Sequence, residues 1–215
     1  MTPNQTCVVT AVRDPVEHFL SGYNEMEWRA SLPVFDRVKY RWKSPAKFVV
    51  FENGTDHRFA QFVLDFVGGG ASGAVSGGAF PAEPTWTTGH VHSMTGVLTT
   101  LSQTKLTAYL PSLHNLDVEF PKMLMDNCEG LPAEMGEPFN VSTVHDSKVD
   151  EQGFYSSAKR VWAAGEATAR ALCSIHAMDY ACYDKVPVPI ICQQVFLDER
   201  FVDRVMRAHN TTAPP

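Results

Sequence analysis

Arg13 and Ser21 stand eight positions apart in the segment Val12-Arg13-Asp14-Pro15-Val16-Glu17-His18-Phe19-Leu20-Ser21-Gly22-Tyr23, where a short apolar run gives way to a helix start. A strand that feeds a capped helix gathers unpaired backbone N–H groups and the positive end of the helix dipole at one point. Arg13 sits beside that point and brings a forked, permanently charged donor matched to a phosphate. Ser21, about two turns into the helix, adds a hydroxyl if its face turns to the same pocket. Such a set can bind an anion. The same residues also describe an ordinary strand-to-helix junction with a capping box, and the pattern alone leaves both readings open.

Other chemistry-bearing residues are sparser. His90 and His92 could present two imidazoles on one face of a strand and ligate a metal in a hydrolase, yet no Asp or Glu stands within a few residues to complete a site. His145-Asp146 has no Gly-x-Ser-x-Gly nucleophile elbow to serve. Glu17 beside His18, and Glu25-Met26-Glu27, read as solvated helix surface. The five cysteines, Cys7, Cys128, Cys173, Cys182 and Cys192, include no Cys-x-x-Cys and so fit no zinc spacing. Cys182 and Cys192 bracket a Pro-containing turn and could be bridged in an oxidising compartment. The odd count leaves a free thiol, with Cys7 in its apolar run as the buried candidate.

The segment from Arg13 to Tyr23 resembles the 3′-phosphate-binding segment of the sulfotransferases that use 3′-phosphoadenosine 5′-phosphosulfate (PAPS), whose pattern is Arg-Asp-Pro-x-x-Arg-x-x-Ser-x-Tyr. The resemblance assigns the 3′-phosphate grip to Arg13 and Ser21, and scaffold positions to Asp14, Pro15 and Tyr23. His18 departs, standing where a second Arg is usual. Phe59-Ala-Gln-Phe-Val-Leu-Asp-Phe66 looks like the following helix of the Golgi carbohydrate branch of that family. His90 keeps one residue of its His-Trp-x-Pro-Gln stretch, and Leu172 to Tyr183 looks like its closing helix, with His176 in place of a Tyr. The Gly- and Lys-containing loop that cradles the 5′-phosphosulfate in the family has no counterpart in the twelve residues ahead of Arg13. The glycine-rich stretch Gly68–Gly78 is no substitute, since no Lys-Ser/Thr accompanies it. The usual general base would be absent with that loop, so no catalytic residue is assigned.

What the resemblance implies is an α/β domain of the P-loop-nucleoside-triphosphate-hydrolase-like sulfotransferase fold, entered partway through. Its expected activity is sulfuryl transfer from PAPS to a hydroxyl or amine acceptor, with a glycan as the acceptor class, without a metal, in the Golgi lumen. Two alternatives stand beside it. One is a non-catalytic remnant that keeps the 3′-phosphate site; the other is a metal-dependent hydrolase built on His90 and His92.

The elements that would position these residues follow from patterning. Thr6–Val12 is β-branched and apolar and reads as a buried strand. Asp14 is a good N-cap, Pro15 suits the first helical position, and Glu17 completes the capping-box spacing of a helix expected to fray near Asn24. Phe59, Phe62, Val63 and Phe66 fall at i, i+3, i+4, i+7 and make one apolar face of a helix over 57–67. Phe48–Phe51 is a short apolar run, and Gly68–Gly78 reads as a mobile surface loop. Leu98 and Leu101 suggest a helix, Thr107–Leu110 a short strand, and Asp117–Met125 a helix with Phe120, Met123 and Leu124 inward. Residues 126–150 read as loop. The longest helix is expected over Ser156–Cys182, where Val161, Gly165, Thr168, Leu172 and Ile175 recur at spacings of three and four.

At 215 residues and 44% hydrophobic content the chain suits one domain, set at 1–209, with residues 210–215 as a disordered tail. A net charge of −6 lacks the basic footprint of a nucleic-acid binder. No apolar run is long enough to cross a bilayer, and Met1–Thr6 lacks the blocks of a signal peptide. Four Asn-x-Ser/Thr acceptors, at Asn4, Asn53, Asn140 and Asn210, are consistent with the secretory pathway.

Overall fold

Val8–Ala11 (β1) and Leu106–Leu110 (β2) form a two-stranded parallel sheet, with Val9 opposite Ala108, Thr10 opposite Tyr109 and Ala11 opposite Leu110. The structure is a computed structural model, and it describes residues 7–31, 52–68, 91, 94–95, 106–139, 150 and 152–197. Parallel pairing demands a long crossover, and here the chain between the strands includes the helices Pro15–Ser31 and Asp56–Gly68. The architecture is α/β: a small parallel sheet flanked by helices. The strand expected over 6–12 is shorter and half-buried, and the buried residue is Val12, whose N–H continues the ladder to the Leu110 carbonyl at 2.8 Å.

Helix α1 spans Pro15–Ser31. Its cap forms as the sequence requires: the Glu17 N–H donates to Asp14 Oδ1 at 2.8 Å. The reciprocal half of the capping box does not form, because the Glu17 carboxylate accepts from the Tyr155 hydroxyl instead. The helix does not fray near Asn24. Met26 and Glu27 are buried, and burial of a face sustains a helix well past what local propensity supports.

Helix α2 (Asp56–Gly68) presents Phe59, Phe62, Val63 and Phe66 inward, all fully buried, as its spacing predicts. They meet Phe19 and Tyr23 of α1 edge-to-face: Phe19–Phe66 at 5.3 Å between ring centroids, and Tyr23–Phe59 and Tyr23–Phe62 at 4.8 Å. This geometry sets positive ring edges against negative faces. Helix α3 (Leu116–Asn127) packs on both strands, with Met123 buried and Phe120 and Leu124 half-buried. Within the stretch expected to be loop, Ala133–Gly136 forms a 3-10 turn against α3.

The single helix expected over 156–182 is three: α4 (Phe154–Ala164), α5 (Ala167–Ile175) and α6 (Ala177–Cys182), followed by α7 (Ile190–Phe196). Gly165 ends α4 in the left-handed region, φ 70°, where a glycine carries no side-chain penalty. The periodic spacing continued across this break, so periodicity alone did not register it.

The cysteine expectations are corrected. Cys7 bonds Cys128, tying the start of β1 to the end of α3, and Cys173 of α5 bonds Cys192 of α7. Cys182, which could have bridged to Cys192, is exposed and free, and Cys7 is not a buried thiol. The side chain of Cys192 faces α5 across a Cα separation of 5.1 Å, which bracketing a turn in sequence could not reveal. The Phe48–Phe51 run, the glycine stretch beyond Gly68, the Leu98–Leu101 segment and the 210–215 tail lie outside the described residues.

Candidate functional site

Arg13 occupies the step between β1 and α1 and is half-buried. Its Nη2 donates to the His18 carbonyl at 3.1 Å, while its Nε is buried without a partner. Ser21 stands three residues beyond His18 on α1 and is half-buried. Burial lowers the Arg13 pKa from its ordinary value, and the nearby Tyr155, Glu17 and Asp14 oppose that shift.

No ion pair among the described residues includes Arg13. The two carboxylates beside it are engaged elsewhere. Asp14 spends Oδ1 on the helix cap and accepts from the Tyr180 hydroxyl through Oδ2 at 3.0 Å. Glu17 accepts from Tyr155 at 2.7 Å. Burial and the Glu17 carboxylate together push the Tyr155 hydroxyl up to about 12. The site is therefore a partly buried guanidinium flanked by two hydroxyl-bonded carboxylates, with Ser21 one turn from Glu17 on the same helix face.

Glu27, read from sequence as solvated surface, is buried and grips Arg58 with two bonds, Nε to Oε1 at 2.9 Å and Nη2 to Oε2 at 2.6 Å. This clamp joins α1 to α2 deep in the core and takes no part in the Arg13 site.

A second polar cluster escaped the sequence reading. His176, noted there only as a replacement for Tyr, is fully buried, with Nδ1 2.8 Å from Asp179 Oδ2. The other oxygen of Asp179 accepts from the Thr95 backbone N–H at 2.7 Å, and the imidazole edge meets the Phe19 ring at 5.7 Å. The segment around Thr95 and the closing helix are thereby joined. The i, i+3 spacing of His176 and Asp179 on an otherwise apolar face was the available signal.

His90, His92 and His145-Asp146 lie outside the described residues. Among the described residues no group of three or more His, Cys, Asp or Glu is placed to hold a metal ion, and no helix is long and apolar enough to cross a membrane. No family model, curated protein or solved structure matches the chain.

Proposed function

We propose that this chain binds the 3′-phosphate of PAPS at Arg13 and Ser21 and serves sulfuryl transfer to a hydroxyl or amine, with a carbohydrate as the acceptor class. The observation that carries the reading is the state of Arg13: a partly buried guanidinium at a strand-to-helix step, without a carboxylate partner among the described residues, at the head of the helix that bears Ser21. It joins the likeness of the Arg13–Tyr23 segment to the family pattern. The finer fold assignment, to the P-loop-like sulfotransferases, belongs to the same proposal; the parallel sheet ending at Arg13 is compatible with it.

In this reading Arg13 supplies the charge and fork that distinguish a 3′-phosphate from a bare ribose hydroxyl. Ser21 donates a further hydrogen bond, and Asp14 with Tyr180 holds the step rigid. The transfer itself is an in-line attack by the acceptor oxygen or nitrogen on sulfur. The S–O bond to the departing 5′-phosphate breaks and the acceptor proton goes to a base. Such chemistry depends on positioning and fixed charge. The proposed compartment is the Golgi lumen, a placement supported by the two disulfides and by the Asn-x-Ser/Thr acceptors.

Calorimetric titration with 3′-phosphoadenosine 5′-phosphate, against adenosine 5′-phosphate as the ligand lacking the 3′ group, tests the reading. Arg13→Ala is expected to weaken the first by about tenfold to a hundredfold and to leave the second nearly unchanged; Ser21→Ala should have a smaller effect in the same direction. Equal affinity of both variants and the unchanged protein for the first ligand would overturn it. Tight binding without transfer of labelled sulfuryl groups from PAPS to glycans would instead favour a non-catalytic binding module.

A further inference from the structure

We propose that Asn53 is an N-linked glycosylation site, and that the oligosaccharide reaches it before the turn carrying it has folded. Occupancy of the site rests on the lumenal placement above; the order of events rests on the turn itself.

Asn53-Gly54-Thr55 forms the approach to α2, and it is the acceptor tripeptide that falls wholly within the described residues. Asn53 is exposed, and its Nδ2 donates to Oε1 of the exposed Gln152 at 3.1 Å. A carboxamide bearing a sugar keeps one N–H, so this bond and the sugar are compatible. In the transfer, Nδ2 forms a bond to C1 of the reducing-end sugar of a lipid-pyrophosphate-linked oligosaccharide. The C1–O bond breaks with its electron pair going to the pyrophosphate, and the amide gives up one proton.

Acceptor recognition requires the Thr hydroxyl as well as the Asn amide. In the folded chain the Thr55 hydroxyl is committed twice, donating to the Glu52 carbonyl at 2.8 Å and accepting from the Arg58 N–H at 3.3 Å. It is the N-cap of α2. Gly54, at φ +66°, is braced against the chain ahead of α4: a Cβ there would collide with the Gln152 carbonyl oxygen. The tripeptide therefore cannot extend into a transferase without undoing the cap and the docked turn. Transfer belongs to the unfolded chain, and the finished glycan is then carried on the exposed face.

For the test, the full chain is directed into the secretory pathway of a eukaryotic cell with Asn4, Asn140 and Asn210 replaced by Gln. The expected result is a single glycosidase-sensitive mobility step, with Asn converted to Asp at position 53 on enzymatic release. Asn53→Gln should abolish it and Thr55→Ser, which keeps the hydroxyl, should retain it. An unmodified Asn53 in secreted chain whose Cys7–Cys128 and Cys173–Cys192 bonds are formed would overturn the site. Secreted chain with those four cysteines reduced would overturn the lumenal reading instead. For the order of events, unglycosylated full chain is offered to microsomal transferase with the lipid-linked donor. Reduced and alkylated chain should accept the sugar and native chain should not; equal modification of both would overturn the order.

Discussion

Arg13 keeps its charge available because hydroxyls from distant parts of the chain occupy its carboxylate neighbours. Those neighbours still act through space, and Glu17 in particular opposes any anion brought to the guanidinium. Glu17→Gln is therefore expected to tighten binding of 3′-phosphoadenosine 5′-phosphate by about threefold to tenfold at low salt, an effect that shrinks as ionic strength rises. Titrations at two salt concentrations check this. The Tyr155–Glu17 bond also makes an alkaline prediction. The Tyr155 pKa rises from an ordinary 10.0 to about 12 on folding, so the neutral hydroxyl is favoured in the native state. Its stabilisation is complete below pH 10 and is lost as pH climbs through about 12, when a phenolate would face a carboxylate. Urea unfolding along that range should show a shallower alkaline decline in Tyr155→Phe. The Asp14 cap was legible in the sequence because its partner lies three residues away. The hydroxyls of Tyr155 and Tyr180 were not, standing 138 and 166 residues from the carboxylates they meet.

Element boundaries follow a division between local signals and burial. The apolar stripe of α2 specified its helix unaided, since residues at i, i+3, i+4 and i+7 lie on one face whatever surrounds them. The end of α1 was invisible locally, because Glu27 looks like a surface residue until Arg58 of α2 closes on it. The division of 156–182 into three helices turns on Gly165, which the sequence reading counted as a periodic position. Gly165→Ala would hold a side chain at φ 70° and bring a Cβ to 3.4 Å from Ile191 Cδ1. A loss of about 1–2 kcal/mol is expected, with Gly165→Asn costing less because Asn tolerates the left-handed region. Urea titration of the two variants ranks them, and a neutral Gly165→Ala would mean that α4 and α5 can join without cost.

Across the whole molecule, two disulfides link segments that the chain order keeps apart. Cys7–Cys128 closes a separation of 121 residues and Cys173–Cys192 one of 19. Restricting the unfolded chain by those loops corresponds to about 5 and about 3 kcal/mol respectively. Paired Ser replacements at Cys7 and Cys128 should therefore destabilise more than the pair at Cys173 and Cys192, read as denaturant midpoints with the slope unchanged. By itself the sequence determined what is decided within a helical turn or along one strand: β1 and β2, the Asp14 cap and the face of α2. Tertiary structure alone decided which cysteines bond, that Glu27 is buried on Arg58, that Asp179 meets the Thr95 backbone, and that Asp14 and Glu17 are held by tyrosines. Those pairings depend on distances between residues remote in the chain, and only the packing of helices on the sheet and on one another sets such distances.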